Sequence, residues 1–136
     1  METHGLLSPD DVAAARERYE AVGPAAQTVV KETAKAMRFD RGEYEERVTG
    51  EVVETARDAL FASLLEVHTG SREEFEAAIP GSFEVVEEGS ENVENVAWHV
   101  APAAETVVAA TYQREAAAAV ATLQRQAFGK VYRELL

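Results

Sequence analysis

The last third of the chain, residues 102–136, most constrains what the chain can fold into. It begins at Pro102 and contains an alanine run, Ala116 to Ala119, and alanine is the best helix former. Its apolar positions recur at steps of three and four, which places them on one side of a 3.6-residue helix. They are Val108, Thr111, Tyr112, Ala119, Leu123, Ala127, Val131 and Leu135. The pattern predicts one long C-terminal helix that forms the central rod of the fold.

Four stretches before this rod predict further helices. Helix 1 is expected from the Ser8-Pro9 start to Gly23, and helix 2 from Pro24 through an apolar stripe that ends at Met37. A capping box at Asp40 opens helix 3, expected over about residues 41–68 with Gly50 inside it. A second capping box, at Ser71, opens a short helix 4 that ends before residue 80.

Between helix 4 and the rod the chain changes to a strand pattern. Residues 83–87 and 96–100 are β-branched and aromatic runs around a polar, glycine-containing loop, which indicates a hairpin. In the second run Trp98 and His99 are expected on opposite faces of the sheet. The predicted fold is therefore mainly α: a single domain, residues 1–136, that is a bundle of four or five helices with one inserted β-hairpin (about residues 83–100) before the long C-terminal helix.

The charge of the chain is unevenly distributed. The net charge is −12, and residues 40–94 carry sixteen acids and four bases, whereas residues 95–136 carry three acids and four bases. A near-neutral terminal helix in so acidic a chain is expected to be covered, by this chain or by another copy. The sequence therefore predicts a homodimer or another protein partner. The interface is expected either on the edge of the hairpin or on the neutral face of the terminal helix, with the candidate residues Ala119, Leu123, Ala127 and Val131.

Several chemistries lack the residues that they need. The chain has no cysteine, which removes disulfides, thiolate nucleophiles and cysteine-containing zinc sites. It has no Glu-x-x-His pair for a di-iron bundle, and Glu66 and His68 would point about 200° apart on helix 3. His68 then suits the negative end of the helix dipole. Phosphate-binding glycine loops and a serine nucleophile elbow do not occur either. We predict no catalytic residue, no metal and no cofactor.

Trp98 and His99 are the residues that the sequence offers for ligand binding. One interpretation places Trp98 in the core and His99 in solvent or bonded to a neighbour. The other places His99 in a pocket between the hairpin and helix 3, with carboxylates nearby. His4 is expected in a frayed N-terminus and supports no site.

Nucleic acids and membranes are not expected partners. Helix 3 carries seven acids between Glu43 and Glu66 against two arginines, and phosphate neutralisation supplies most non-specific affinity for nucleic acid. No apolar run approaches the roughly 20 residues that span a bilayer. The N-terminus also lacks the pattern of a signal peptide. The sequence predicts a cytoplasmic protein.

Three features together resemble a small haloarchaeal family of uncharacterised acidic, mostly helical proteins. They are the capped start Leu7-Ser8-Pro9-Asp10-Asp11, the Phe39-Asp40 helix entry and the alanine-rich close. The resemblance implies a salt-adapted cytoplasmic protein and names no site residue. Three hypotheses follow: a non-enzymatic protein-interaction or homo-oligomeric module, a small-molecule-binding protein or enzyme with the hairpin pocket, and a DNA-binding regulator.

Overall fold

The computed structural model describes residues 1–136 and shows a five-stranded mixed sheet with helices on both faces. The strands are β1 (Glu2–His4), β2 (Val67–Ser71), β3 (Glu84–Glu88), β4 (Asn95–Ala101) and β5 (Thr106–Tyr112). The helices are α1 (Val12–Ala21), α2 (Gly23–Ala36), α3 (Arg41–Arg47), α4 (Gly50–Ser63), α5 (Arg72–Ala78), α6 (Ala116–Ala127) and α7 (Arg133–Leu135). A π-helical turn, Phe128–Tyr132, joins the last two. The prediction of a mainly α bundle is wrong, and the fold is α/β.

The sheet order is β1-β2-β4-β5-β3, and only the β5–β3 pair is parallel. Both strands of the predicted hairpin exist, but they do not pair with each other. β5 lies between them, with Val108 opposite Val86 of β3 and opposite His99 of β4. The hairpin prediction is therefore wrong, because the residues that follow β4 supply a third strand that pairs with both runs.

The predicted C-terminal rod is helical only in its second half. A 3₁₀ turn, Pro102–Ala104, and a left-handed residue at Glu105 (φ 47°) lead into β5, and α6 begins at Ala116. The seven residues of β5, TVVAATY, are mostly β-branched or aromatic and favour a strand. The few apolar positions before Gln113 fit a helical spacing as well, so periodicity alone could not separate the two structures.

Predicted helix 3 is two helices. Both predicted capping boxes are confirmed, at Asp40 for α3 and at Ser71 for α5. However, Thr49 caps a new helix by accepting a hydrogen bond from the Val52 N–H, so Gly50 is the first residue of α4 and not an interior residue. α4 ends at Ser63, and the following extended segment continues into β2.

Two apolar clusters cover the two faces of the sheet. The larger one lies among α1, α4, α6, the π turn and the strand residues Ala97 and Val108. The smaller one contains Val96, Trp98 and Phe75, the last from α5. The predicted alternation of side chains along β4 is confirmed. Helix α2 packs mainly on α4, outside both clusters, so this pair of helices forms the outer edge of the fold. No helix combines the length and the apolar character needed to cross a bilayer.

We expect Gly5→Ala to lower the free energy of unfolding by about 1–3 kcal/mol. Gly5 has φ 80°, and a Cβ atom there would collide with the backbone oxygen of Leu65. The neighbouring residue Leu7 is bound to the same segment, with its N–H donating to Leu64 O at 2.8 Å. Urea denaturation measures the change. The matched variant Gly50→Ala meets no atom within 4 Å and should keep or raise the stability; equal losses in both variants would contradict this account.

Candidate functional site

Trp98 and His99 lie on β4 and are fully buried, on opposite faces of the sheet. The Trp98 ring packs against Phe75 at 5.3 Å and His68 at 5.6 Å between centroids. Its Nε1 has no hydrogen-bond partner. Solvent reaches neither side chain, so the two residues proposed for ligand binding serve as core residues in this structure.

His99 has a partner on each ring nitrogen. Nδ1 lies 2.6 Å from the carbonyl oxygen of Glu66, and Nε2 lies 2.6 Å from the Tyr132 hydroxyl. A carbonyl can only accept, so Nδ1 carries the proton and Nε2 accepts from Tyr132. Burial lowers the pKa of His99 and raises the pKa of Tyr132, because both charged forms would lose hydration. His99 is thus a neutral, satisfied histidine that joins β4 to the π turn.

The predicted interface residues are covered by this chain. Leu123, Ala127 and Val131 belong to the larger apolar cluster, and Ala119 packs against it. The near-neutral charge of the terminal segment therefore has an explanation within one chain, which was one of the two alternatives.

The structure brings together three polar residues that the sequence did not associate. Thr3 of β1 and His68 of β2 are directly opposite in the strand register, and Thr3 Oγ1 lies 2.9 Å from His68 Nδ1. Glu66 Oε1 lies 3.0 Å from His68 Nε2. The two side chains would diverge on a helix, but residues two apart in an extended segment share a face. Glu66, whose backbone oxygen binds His99, therefore also binds His68 through its carboxylate.

The N-terminus is thus not frayed, as had been expected, but forms the edge strand β1. The Met1 ammonium contacts Glu74 at 2.7 Å. That contact and the backbone N–H of Ser71 lower the pKa of Glu74 to about 2. The sequence signal that could have revealed this arrangement is the stretch before the Ser71 cap, where Val67 and Thr69 favour a strand over the end of a helix.

An apolar groove lies between α2 and α4, and α3 and its flanking residues also line it. We call it the α2–α4 groove. Its volume is about 430 Å³ and nine of its twelve lining residues are hydrophobic. The lining residues are Val29, Val30, Thr33, Ala34, Met37, Phe39, Arg47, Val48, Val52, Thr55, Ala56 and Ala59. Such a surface can bind an apolar partner or ligand.

Arg47 is the only charged residue that lines the groove. Its guanidinium carbon lies 5.4 Å from the centre of the Phe39 ring, a distance at which cation and ring attract. No cluster of three metal-ligating side chains occurs in the structure. The sequence did not reveal the groove, because the spacing of the apolar residues of helix 2 does not show which of them are covered. The structure buries Val30 and Ala34 but exposes Met37.

The chain belongs to a family of unknown function, DUF5809, whose model matches residues 6–133. No curated protein and no solved structure matches the chain.

Proposed function

We propose that this member of the family is a non-enzymatic protein-interaction module, and that it pairs with a second copy of itself through the α2–α4 groove. The observation that carries the proposal is the concentration of exposed apolar side chains there. Val29, Met37 and Val52 line the groove and are 46%, 59% and 42% exposed. Tyr44, on the adjoining α3, is 39% exposed. The other large apolar residues of similar exposure, Met1, Leu6 and Val85, lie outside the groove.

A contiguous exposed apolar surface of this kind usually marks an interaction site, because single exposed apolar residues are common but clusters are not. A two-fold dimer is the simplest way to cover it. In such a dimer the same patch of both copies meets itself, so one exposed groove is sufficient.

The charge around the groove favours a second copy as the partner. Residues 23–63 carry eight acids and six bases, whereas the rest of the chain carries seventeen acids and seven bases. Two copies of so acidic a chain repel each other least at a surface that carries both acidic and basic residues. Lys35 lies 3.5 Å from Glu32, and Arg41 lies 3.5 Å from Glu45. In a two-fold arrangement an acid of one copy can face a base of the other.

High salt should strengthen this association. At about 1 M salt the Debye length is about 3 Å, so the repulsion between the two acidic chains is screened while the apolar contact is retained. The proposal includes the salt-adapted, cytoplasmic setting that the sequence favours. It does not extend to nucleic acid, because the groove presents only Arg47 and phosphate binding uses several cations.

To test the proposal, the molar mass of the protein is measured by light scattering in about 1 M KCl at a series of protein concentrations. We expect a dimer, and we expect Val52→Glu to weaken it at least tenfold, since a buried unpaired charge costs more than about 1.4 kcal/mol. Val85→Glu is the matched control. Val85 is 40% exposed, on the edge strand β3, and the same charge there should leave the dimer intact.

Two outcomes would overturn the proposal. Equal weakening by Val52→Glu and Val85→Glu would remove the groove from the interface. A monomer at every concentration would remove the homodimer, and native mass spectrometry of that monomer shows what else the groove holds. A co-purified apolar acid would then assign the groove to a small molecule, with Arg47 as its charge partner.

A further inference from the structure

Thr3, His68 and Glu66 form a relay of close polar contacts that leads from a carboxylate to a hydroxyl, in which Thr3 and His68 are hydrogen-bonded and the Glu66 carboxylate lies at ion-pair distance from the ring. The distances are 3.0 Å from Glu66 Oε1 to His68 Nε2 and 2.9 Å from His68 Nδ1 to Thr3 Oγ1. The negative charge of the Glu66 carboxylate beside Nε2 favours the tautomer of the neutral imidazole that carries its proton on Nε2. Nδ1 then offers its lone pair to the Thr3 O–H. The Thr3 hydroxyl therefore donates to a base that is oriented by a third group.

The relay is held in place from two sides. The His68 ring packs on Trp98, which is fully buried, with 5.6 Å between the ring centroids. The paired strands β1 and β2 place Thr3 directly opposite His68. The side chains of His68 and Glu66 are 19% and 33% exposed, whereas Thr3 is exposed on the edge strand. A reagent can reach the hydroxyl without any opening of the fold.

We propose that Thr3 is an acyl-acceptor site, a nucleophilic hydroxyl that takes acyl groups from activated esters with His68 as its general base. A hydroxyl beside an oriented base is the arrangement that makes a weak oxygen nucleophile reactive. This inference is independent of the α2–α4 groove, since none of the three residues lines it. His68 acts on the reacting hydroxyl, and Glu66 is a positioning residue that acts through His68.

The proposed step is a transesterification. Thr3 Oγ1 forms a bond to the carbonyl carbon of the ester while His68 Nδ1 takes the hydroxyl proton. The tetrahedral adduct then collapses, the bond from that carbon to the leaving oxygen breaks, and His68 returns the proton to the alcohol or phenol that departs. The products are O-acyl-threonine and the free alcohol. No electron donor, electron acceptor or metal is needed for this balance.

The test uses the full chain and p-nitrophenyl acetate, with release of p-nitrophenol followed by absorbance and the acetylated site assigned by peptide mass spectrometry. The chain has no cysteine, so no thiol competes. Acetyl groups on the Met1 amine or on lysine are amides, and only the ester on a hydroxyl is removed by hydroxylamine. We expect a hydroxylamine-sensitive acetyl group on Thr3 at a much higher level than on the other threonines.

Four variants give the decisive comparisons. Thr3→Val keeps the shape of the side chain and should lose the ester adduct, whereas Thr3→Ser should retain it. His68→Phe keeps a ring on Trp98 but has no base, and should slow acylation at least about a hundredfold, as general-base assistance commonly contributes. For Glu66, the ¹⁵N spectrum of His68 should show the Nε2–H tautomer in the native chain and a mixture in Glu66→Ala, a change that loss of packing alone would not produce.

The proposal is overturned if Thr3 carries no more acetyl than other threonines or if His68→Phe acylates at the native rate. Equal release of p-nitrophenol by Thr3→Val would also overturn it, because His68 itself would then be the nucleophile. Far-UV circular dichroism of each variant verifies that the fold is retained in these comparisons.

Discussion

Replacing Phe61 with alanine is expected to lower the free energy of unfolding by about 3–5 kcal/mol, the range for a large aromatic side chain removed from a core. Phe61 lies on α4 and is fully buried. Its ring meets Tyr19, Phe128 and Tyr132 edge to face, at centroid distances of 5.7, 6.0 and 5.5 Å. The substitution removes both its buried area and these three favourable ring contacts.

The positions of the rings around Phe61 prevent the structure from relaxing to fill the cavity that Phe61→Ala leaves. The rings come from α1, from the π turn and from its C-terminal end, so no single element can move to fill the cavity. Urea denaturation at neutral pH measures the loss, with Val85→Ala as the control. Val85 is 40% exposed, and its truncation should cost less than about 1 kcal/mol. A loss below 1 kcal/mol for Phe61→Ala would mean that the three rings do not share one rigid core.

His99 should make the protein less stable as the pH falls from 6.5 towards 5. Burial lowers the pKa of His99 from its usual 6.5, so as the pH falls through 6.5 the unfolded chain takes up more protons at this residue than the folded chain does. The free energy of unfolding then falls with decreasing pH, by up to about 1.4 kcal/mol per pH unit from this residue.

The variant His99→Gln separates this effect from other titrations. An amide can still donate to the Glu66 carbonyl or accept from Tyr132 but does not titrate in this range, so the slope between pH 6.5 and 5 should become shallower. At pH 8 the variant should be less stable by about 1–3 kcal/mol, because the two buried partners are satisfied less well. The low pKa of Glu74, about 2, affects stability only at lower pH than this window. An unchanged slope in His99→Gln would contradict the assignment.

The local predictions that succeeded concern hydrogen bonds between residues close in sequence. The capping boxes at Asp40 and Ser71 were correct because the groups that they satisfy lie within three residues. The alternation of Trp98 and His99 across the sheet was also correct, since it follows from the two-residue period of any strand.

The predictions of pairing failed because they depend on residues far apart in the chain. Residues 83–100 were expected to form a hairpin, yet β3 and β4 are separated in the sheet by β5, which comes later in the sequence. Val108 fits a helical stripe as well as a strand, and only the availability of two open strand edges decides between the two structures. The same difficulty applied to Glu66 and His68, which diverge on a helix and meet in an extended chain.

The candidate sites also depend on contacts between residues far apart in the chain. His99 was singled out as a candidate for ligand binding, and the partners of its ring in the structure are Glu66 and Tyr132, each 33 positions away. The α2–α4 groove could not be predicted from helix 2, because a stripe of apolar residues has the same spacing whether it is covered or left half exposed. The contact between Thr3 and His68 could not be predicted for a similar reason, since it arises only from the pairing of β1 with β2.

By itself, the sequence determined the caps that start α3 and α5, the alternating faces of β4, and the excess of acids between residues 40 and 94, because these depend on neighbouring residues or on composition alone. The tertiary structure decided the order of the strands, the burial of the terminal helix within its own chain, the exposed groove and the Thr3–His68–Glu66 relay. Each of these features depends on which apolar surfaces and strand edges pack against each other. That packing involves residues far apart in the chain, so it is decided for the whole chain at once.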